Sequence, residues 1–215
     1  MPARPALLLF DLDDVLVHYD HGLRCQSLVR GLEDGMAAAT VQSALFGDDG
    51  LESGCDRGEY DLDEYLDSAH ARHGWRWTPA QFVAARRAAT RVDPNMLALC
   101  DALAGQARLA IFTNNGSWIA RHAAAIVPEV ARRFGADIVC SGHLRACKPD
   151  PAAFHACCER LGVAPAQCLF TDDKAANAEG ARRAGLDAIH FTSVATLREA
   201  LAHRGFKLPG VVHAT

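Results

Sequence analysis

The sequence predicts an α/β protein in which a buried parallel sheet carries a helical segment inserted after its first strand. Three observations lead there. Five short, nearly continuous apolar runs recur along the chain, each bounded by polar or turn residues, which suits strands buried on both faces. Helical patterns lie between most of them, and such alternation is the signature of a parallel sheet. Residues 18 to about 92 break the alternation and show no convincing strand. With 215 residues, 50% of them apolar, the chain is long enough to bury a sizeable core.

The first run is "LLLFD" (residues 7–11), which passes directly into acids at Asp11, Asp13 and Asp14. The inserted region follows: "ESGCDRGEYDLDEYLDSAHARHG" reads as loop and then helix, and Thr78, Pro79 and Gln81 in "WTPAQF" resemble a capping box that starts a further helix. Trp75 and Trp77 have a spacing that places them on opposite faces of a strand or helix start, in the core of the insertion or at its interface. The remaining strand runs are "LAIFT" (109–113), "DIVCS" (137–141), "CLFTD" (168–172) and "AIHF" (188–191). In "PDPAAFHACCERLG" Phe154, Cys157, Cys158 and Leu161 stand at helical spacing, with Asp150 as N-cap, Pro151 at N1 and Gly162 past the end.

Composition narrows the function. Twenty-two basic against 26 acidic residues give a formal charge of -4, and no dense Lys/Arg run would track a phosphate backbone, so nucleic acid is not the expected partner. The apolar run "ALLLF" lacks the length and cleavage site of a signal peptide, and no segment approaches the ~20 apolar residues of a membrane span. The expectation is a soluble cytoplasmic protein with no membrane partner. Its tail, "FKLPGVVHAT", carries no targeting signal and is expected to be mobile at its end. The eight cysteines fall inside apolar segments without a CxxC and read as reduced core thiols. His70 and His73 form a helical pair with no third ligand for zinc.

Ligands of open parallel sheets bind at the carboxyl ends of the strands, and polar residues gather there. The first strand delivers Asp11 and Asp13, the second Thr113, Asn114 and Asn115, and the fourth Asp172 and Asp173; Lys148 follows the third after a short loop. Carboxylates this close repel one another, and burial raises their pKa unless a cation compensates. Asp11, Asp13 and Asp173 together make a hard oxygen cage suited to Mg²⁺, and Lys148 adds a positive charge. A phosphate would meet that cation, Lys148, the Thr113 hydroxyl and the backbone N–H groups of residues 113–115. Each feature alone has an ordinary reading as a turn, a strand end, a surface lysine or a helix cap. Their joint occurrence at successive strand ends is what argues for a site.

The segments "FDLDDVL", "IFTNN", "KPDPAAF" and "FTDDKAANAEGARRAGL" together resemble the four motifs of the haloacid dehalogenase-like hydrolase superfamily. The DDxxxN form of the last is similar to that of sugar-phosphate phosphatases and of the phosphatase domain of epoxide hydrolases. The resemblance implies a Rossmann-like core of sheet order 5-4-1-2-3, formed by residues 1–17 and 93–215, with a small helical cap over residues 18–92. It also implies a nucleophile at Asp11, a general acid and base at Asp13, and phosphate binding by Thr113, Asn114 and Lys148. Mg²⁺ would be held by Asp11, the backbone carbonyl of Asp13 and Asp173, with Asp172 and Asn177 behind them. Asp14 stands where that family often has Gly, so the turn there calls for a residue that tolerates unusual backbone angles.

The activity so implied is a Mg²⁺-dependent phosphatase acting on a small phosphorylated metabolite such as a sugar phosphate. A phosphomutase uses the same motifs. A 2-haloacid dehalogenase lacks an acid at the position of Asp13, and a silent binding protein would have lost the nucleophile, acid or lysine. For substrate selection the sequence offers His18, Tyr19 and Arg57. It assigns no oligomeric state.

Overall fold

The computed structural model describes residues 4–30, 32, 36–47 and 50–209. The end of the tail, residues 210–215, lies outside them. Strand β1 (Leu7–Phe10) is followed by β2 (Val17–Tyr19) and by helices α1 (His21–Val29), α2 (Ala38–Phe46), α3 (Leu51–Asp56), α4 (Leu62–His73) and α5 (Pro79–Ala88). The chain returns through β3 (Thr90–Val92) and α6 (Pro94–Leu103) to β4 (Arg108–Thr113). Then come α7 (Trp118–Arg121), α8 (Ala123–Ile126), α9 (Pro128–Phe134), β5 (Ile138–Cys140), α10 (Ser141–Leu144) and α11 (Pro151–Leu161). Strand β6 (Cys168–Asp172), α12 (Ala175–Arg183), β7 (Asp187–His190) and α13 (Val194–His203) complete it.

The main sheet has the order β5-β4-β1-β6-β7, and all its pairings are parallel. Counted among these five strands alone and read from the β7 edge, the order is 5-4-1-2-3, as the motifs implied. One expectation is corrected. The inserted segment does contain strand structure, because β2 and β3 form a two-stranded antiparallel ribbon in which Val17 pairs with Val92 and Tyr19 with Thr90.

Strand alternation divides the apolar side chains between two faces. Leu7 and Leu9 point to a cluster with Phe112, Phe154, Cys157, Phe170 and Ala181. Leu8 and Phe10 point to the opposite cluster with Met96, Ile111, Phe134 and Leu197, which continues past Trp118 of α7 into the insertion at Leu28, Tyr65, Trp77 and Phe82. Both sheet faces are therefore covered, which is why the strands read as unbroken apolar runs. Capping follows the sequence. Asp150 accepts from the Ala152 N–H ahead of α11, Gly162 ends that helix with φ +68°, and Thr78 with Gln81 forms the reciprocal box that starts α5.

Trp75 and Trp77 are both buried in the insertion, with ring centroids 5.0 Å apart rather than on opposite faces. The Trp77 indole donates to the Leu28 carbonyl, and the His73 ring stacks on Trp75. All eight cysteines are free, and seven are buried. Among the described residues no helix is long and apolar enough to cross a membrane.

Candidate active site at the carboxyl ends of the strands

Register brings the polar strand ends together. Phe10 lies beside Ile111 on one side and Thr171 on the other, so the residues following β1, β4 and β6 emerge at one edge. The turn after β1 is tight. The Leu12 N–H donates to Asp11 Oδ1 at 2.7 Å, and Asp14 takes φ +59°, a left-handed conformation that Asp tolerates better than most residues.

Lys148 is the hub. Its side chain is fully buried, and Nζ lies 3.0 Å from Asp11 Oδ2, 2.6 Å from Asp172 Oδ2 and 3.0 Å from the Phe112 carbonyl oxygen. The Asn114 amide brackets the lysine backbone, donating to its carbonyl and accepting from its N–H, both at 2.9 Å. Asn114 thus lines the site, and its side chain fixes the Lys148 backbone through one of its two N–H groups and its oxygen.

Asp172 is fully buried and accepts from Lys148, from Asn177 Nδ2 at 3.0 Å on both oxygens, and from the Lys174 N–H. Burial opposes its ionisation, yet Lys148 and these hydrogen bonds hold its pKa below the ordinary value. Asp11 has less help. Burial pushes it up to about 7 against the pull of Lys148, with Asp172 and Asp13 adding to the rise. Asp173 is raised too, first by burial and then by Asp172.

Asp11, Asp172 and Asp173 each offer a carboxylate oxygen within 4.8 Å of the others. Lys148 pairs with Asp11 and Asp172, and Lys174 draws on Asp173 without forming an ion pair among the described residues, so the three carboxylates outnumber the cations beside them and leave excess negative charge on hard oxygen donors. That donor set fits a hard divalent cation.

Asp13 is held from two sides. Its Oδ1 accepts from Arg86 Nη2 at 2.5 Å, and its Oδ2 from Asn115 Nδ2 at 3.0 Å; the same amide also donates to Thr113 Oγ1. Above these groups opens a cavity of about 460 Å³. Its floor includes Asp11, Asp13, Thr113, Asn114, Lys148 and Asp173, and the insertion supplies Tyr19, His21, Arg24, Phe46, Glu52 and Asp56. Buried Arg24 pairs with Glu52 at 2.6 Å and donates to the Tyr19 hydroxyl. Burial, and then Glu52, raise Asp56 well above the usual carboxylate range.

Of the sequence-derived selectivity candidates, Tyr19 lines the cavity. His18 is exposed on β2, and Arg57 is exposed and paired with Glu59. Sequence reasoning placed Asn115 at the strand edge as a backbone donor but did not foresee its side-chain contact with Asp13, and it missed Arg86 and Arg24. A signal existed for the arginines, because Arg86 follows the buried Phe82 by four residues and Arg24 precedes the buried Leu28 by four. A charge at an apolar register asks for a buried partner.

Residues 5–185 match the haloacid dehalogenase-like hydrolase family. The chain belongs to that family. A Mycobacterium tuberculosis (strain CDC 1551 / Oshkosh) relative, Phosphatase MT3486, is 39% identical over 82 residues, covering 38% of this chain and 37% of its own length. The Escherichia coli (strain K12) fructose-1-phosphate phosphatase YqaB is 34% identical over 86 residues, covering 40% of this chain and 44% of its own. The chain thus matches less than half the length of these curated relatives.

Haloacid dehalogenase-like proteins of known structure share the fold. One from Porphyromonas gingivalis superposes with a TM-score of 0.74 at 20% identity, covering 93% of this chain and 98% of that one. A Bacteroides thetaiotaomicron enzyme, in complex with magnesium and inorganic phosphate, gives 0.69 at 20% identity over 87% and 94%.

Proposed function

We propose that this hydrolase is a Mg²⁺-dependent phosphatase of a small phosphorylated metabolite, with sugar phosphates as the substrate class. The observation that carries the reading is the buried Asp11–Lys148–Asp172 cluster, with Asp173 within ligand distance and Asp13 beside it, under a cavity of small-molecule size. The sugar phosphatase among the relatives supports the class.

In this reading Asp11 attacks phosphorus, a P–O bond to its carboxylate forms, and the bond to the leaving oxygen breaks. Asp13 gives that oxygen its proton. A water molecule then attacks phosphorus, Asp13 takes the water's proton, and cleavage of the aspartyl-phosphate frees inorganic phosphate and Asp11. Lys148 binds a phosphoryl oxygen and keeps Asp11 ionised, while the Thr113 hydroxyl adds a donor. Asp11, the backbone of Asp13 and Asp173 would hold Mg²⁺, which when bound offsets charge on the phosphoryl group. The helices of residues 18–92 act as a cap that excludes water and selects the leaving group.

The test is phosphate release from a panel that includes p-nitrophenyl phosphate and fructose 1-phosphate, with Mg²⁺ or EDTA, for wild type and Asp11→Asn. Metal-dependent release that the substitution abolishes is expected. Release that survives Asp11→Asn would end the proposal.

A further inference from the structure

Asp13 belongs to the turn after β1, but its orientation is set from the insertion. Arg86, in the last turn of α5, crosses to it over a sequence separation of 73 residues. The Arg86 side chain is 1% exposed, and its guanidinium carbon lies 3.5 Å from the centroid of the Tyr19 ring. Tyr19 lines the cavity and Arg86 stands behind it. Among the described residues, Arg86 Nε and Nη1 are buried without a hydrogen-bond partner.

This is an expensive way to join two parts of a fold. Desolvating a guanidinium costs several kcal/mol, and a buried ion pair is often no more stabilising than apolar residues of similar volume. Each unsatisfied buried donor adds to that cost. The neighbours of Arg86 on α5, Phe82 and Ala85, show that an apolar contact is available at this register. What an apolar residue could not do is grip one carboxylate oxygen while Asn115 grips the other. With both oxygens held, the Asp13 side chain has one orientation, and it faces the cavity with 22% of its surface exposed.

We infer that Arg86 is a positioning residue: with Asn115 it fixes the Asp13 carboxyl where the leaving oxygen of the substrate will stand. The inference rests on the reading of Asp13 as the proton donor. It makes the insertion a contributor to the chemical step as well as a cover, since the residue that aims the acid is carried by a helix outside the sheet.

The readout is the dependence on leaving group. p-Nitrophenolate departs without a proton, whereas phenolate is more basic and gains from one. The ratio of kcat/KM for phenyl phosphate to that for p-nitrophenyl phosphate isolates the donor's contribution, because kcat/KM excludes the later hydrolysis of the aspartyl-phosphate. Asp13→Asn should lower this ratio on the order of 10²-fold, Arg86→Met on the order of tenfold and Arg86→Lys by about threefold, as expected for a misplaced group. Arg86→Met that slows both substrates equally, or neither, would show a structural strut and overturn the inference. Arg86→Lys keeps the buried charge and covers the case in which the Met variant does not fold; an unchanged ratio in it is equally decisive. If Asp13→Asn leaves the ratio intact while Asp11→Asn abolishes turnover, Asp13 is not the donor, and the inference falls although the phosphatase reading stands.

Discussion

Replacing Lys148 by Met keeps most of the aliphatic volume and removes the ammonium that Asp11 and Asp172 share. Two buried carboxylates would then face each other without it. Removing one partner of a buried ion pair costs about 3–5 kcal/mol, and here the cost depends on pH. In the absence of divalent cation, Asp11 is already raised to about 7 by burial, while Asp172 is held low against burial by Lys148 and its hydrogen bonds. Without the lysine both rise.

Lys148 holds its own proton in both folded and unfolded wild type and so drops out; counting carboxyl protons alone, the folded variant binds more than folded wild type around neutral pH, while the two unfolded chains bind equal numbers. The wild-type advantage therefore grows as pH rises and shrinks as pH falls. Each proton of difference is worth about 1.4 kcal/mol per pH unit. Urea unfolding in EDTA should give a Lys148→Met deficit of about 4 kcal/mol at pH 8, falling to about 2 kcal/mol or less at pH 5. Equal deficits at the two pH values would refute the argument that the ammonium serves to keep these carboxylates ionised.

Three further outcomes are expected. Mg²⁺ should raise Tm more at pH 8 than at pH 5, because below about 7 a proton competes for Asp11; equal shifts would place the cation elsewhere. Gly180→Ala sets a methyl group against the Pro149 carbonyl, next to Lys148. It should cost about 1–3 kcal/mol in urea unfolding and lower turnover with it, whereas an unaffected Tm and rate would show that the contact yields freely. Asp14→Ala should be less stable than Asp14→Gly by about 1 kcal/mol, since φ +59° strains alanine and not glycine; equal Tm values would contradict this.

The sheet and the polar edge that carries the candidate site were legible because buried parallel strands write apolar runs and end abruptly in polar residues. Asp11, Asp13, Thr113, Lys148 and Asp173 all line one cavity. The ribbon was not legible. "VHY" and "TRV" are three residues each, and their pairing joins parts of the chain that the sequence separates. Adjacent residues were another obstacle. Asn114 turns to the Lys148 backbone and Asn115 to Asp13, and no spacing rule tells one from the other. On α3 a step of one residue turns the side chain by about 100°. Asp56 consequently lines the cavity, and Arg57, its neighbour, is in solvent.

The ribbon between β2 and β3 has a polymer consequence. The 70 residues from 20 to 89 leave and rejoin the rest of the chain at Tyr19 and Thr90, which are paired neighbours. Strands in such a pair lie about 4.8 Å apart. Once its own helices have formed, this excursion closes like a turn of a few residues. A flexible loop of the same length would cost about 2.5 kcal/mol more in closure entropy than a four-residue turn, on logarithmic scaling. The sheet is therefore nearly indifferent to how long the excursion is, and helices could be lengthened, shortened or exchanged there while the strand edge that carries Asp11 keeps its register.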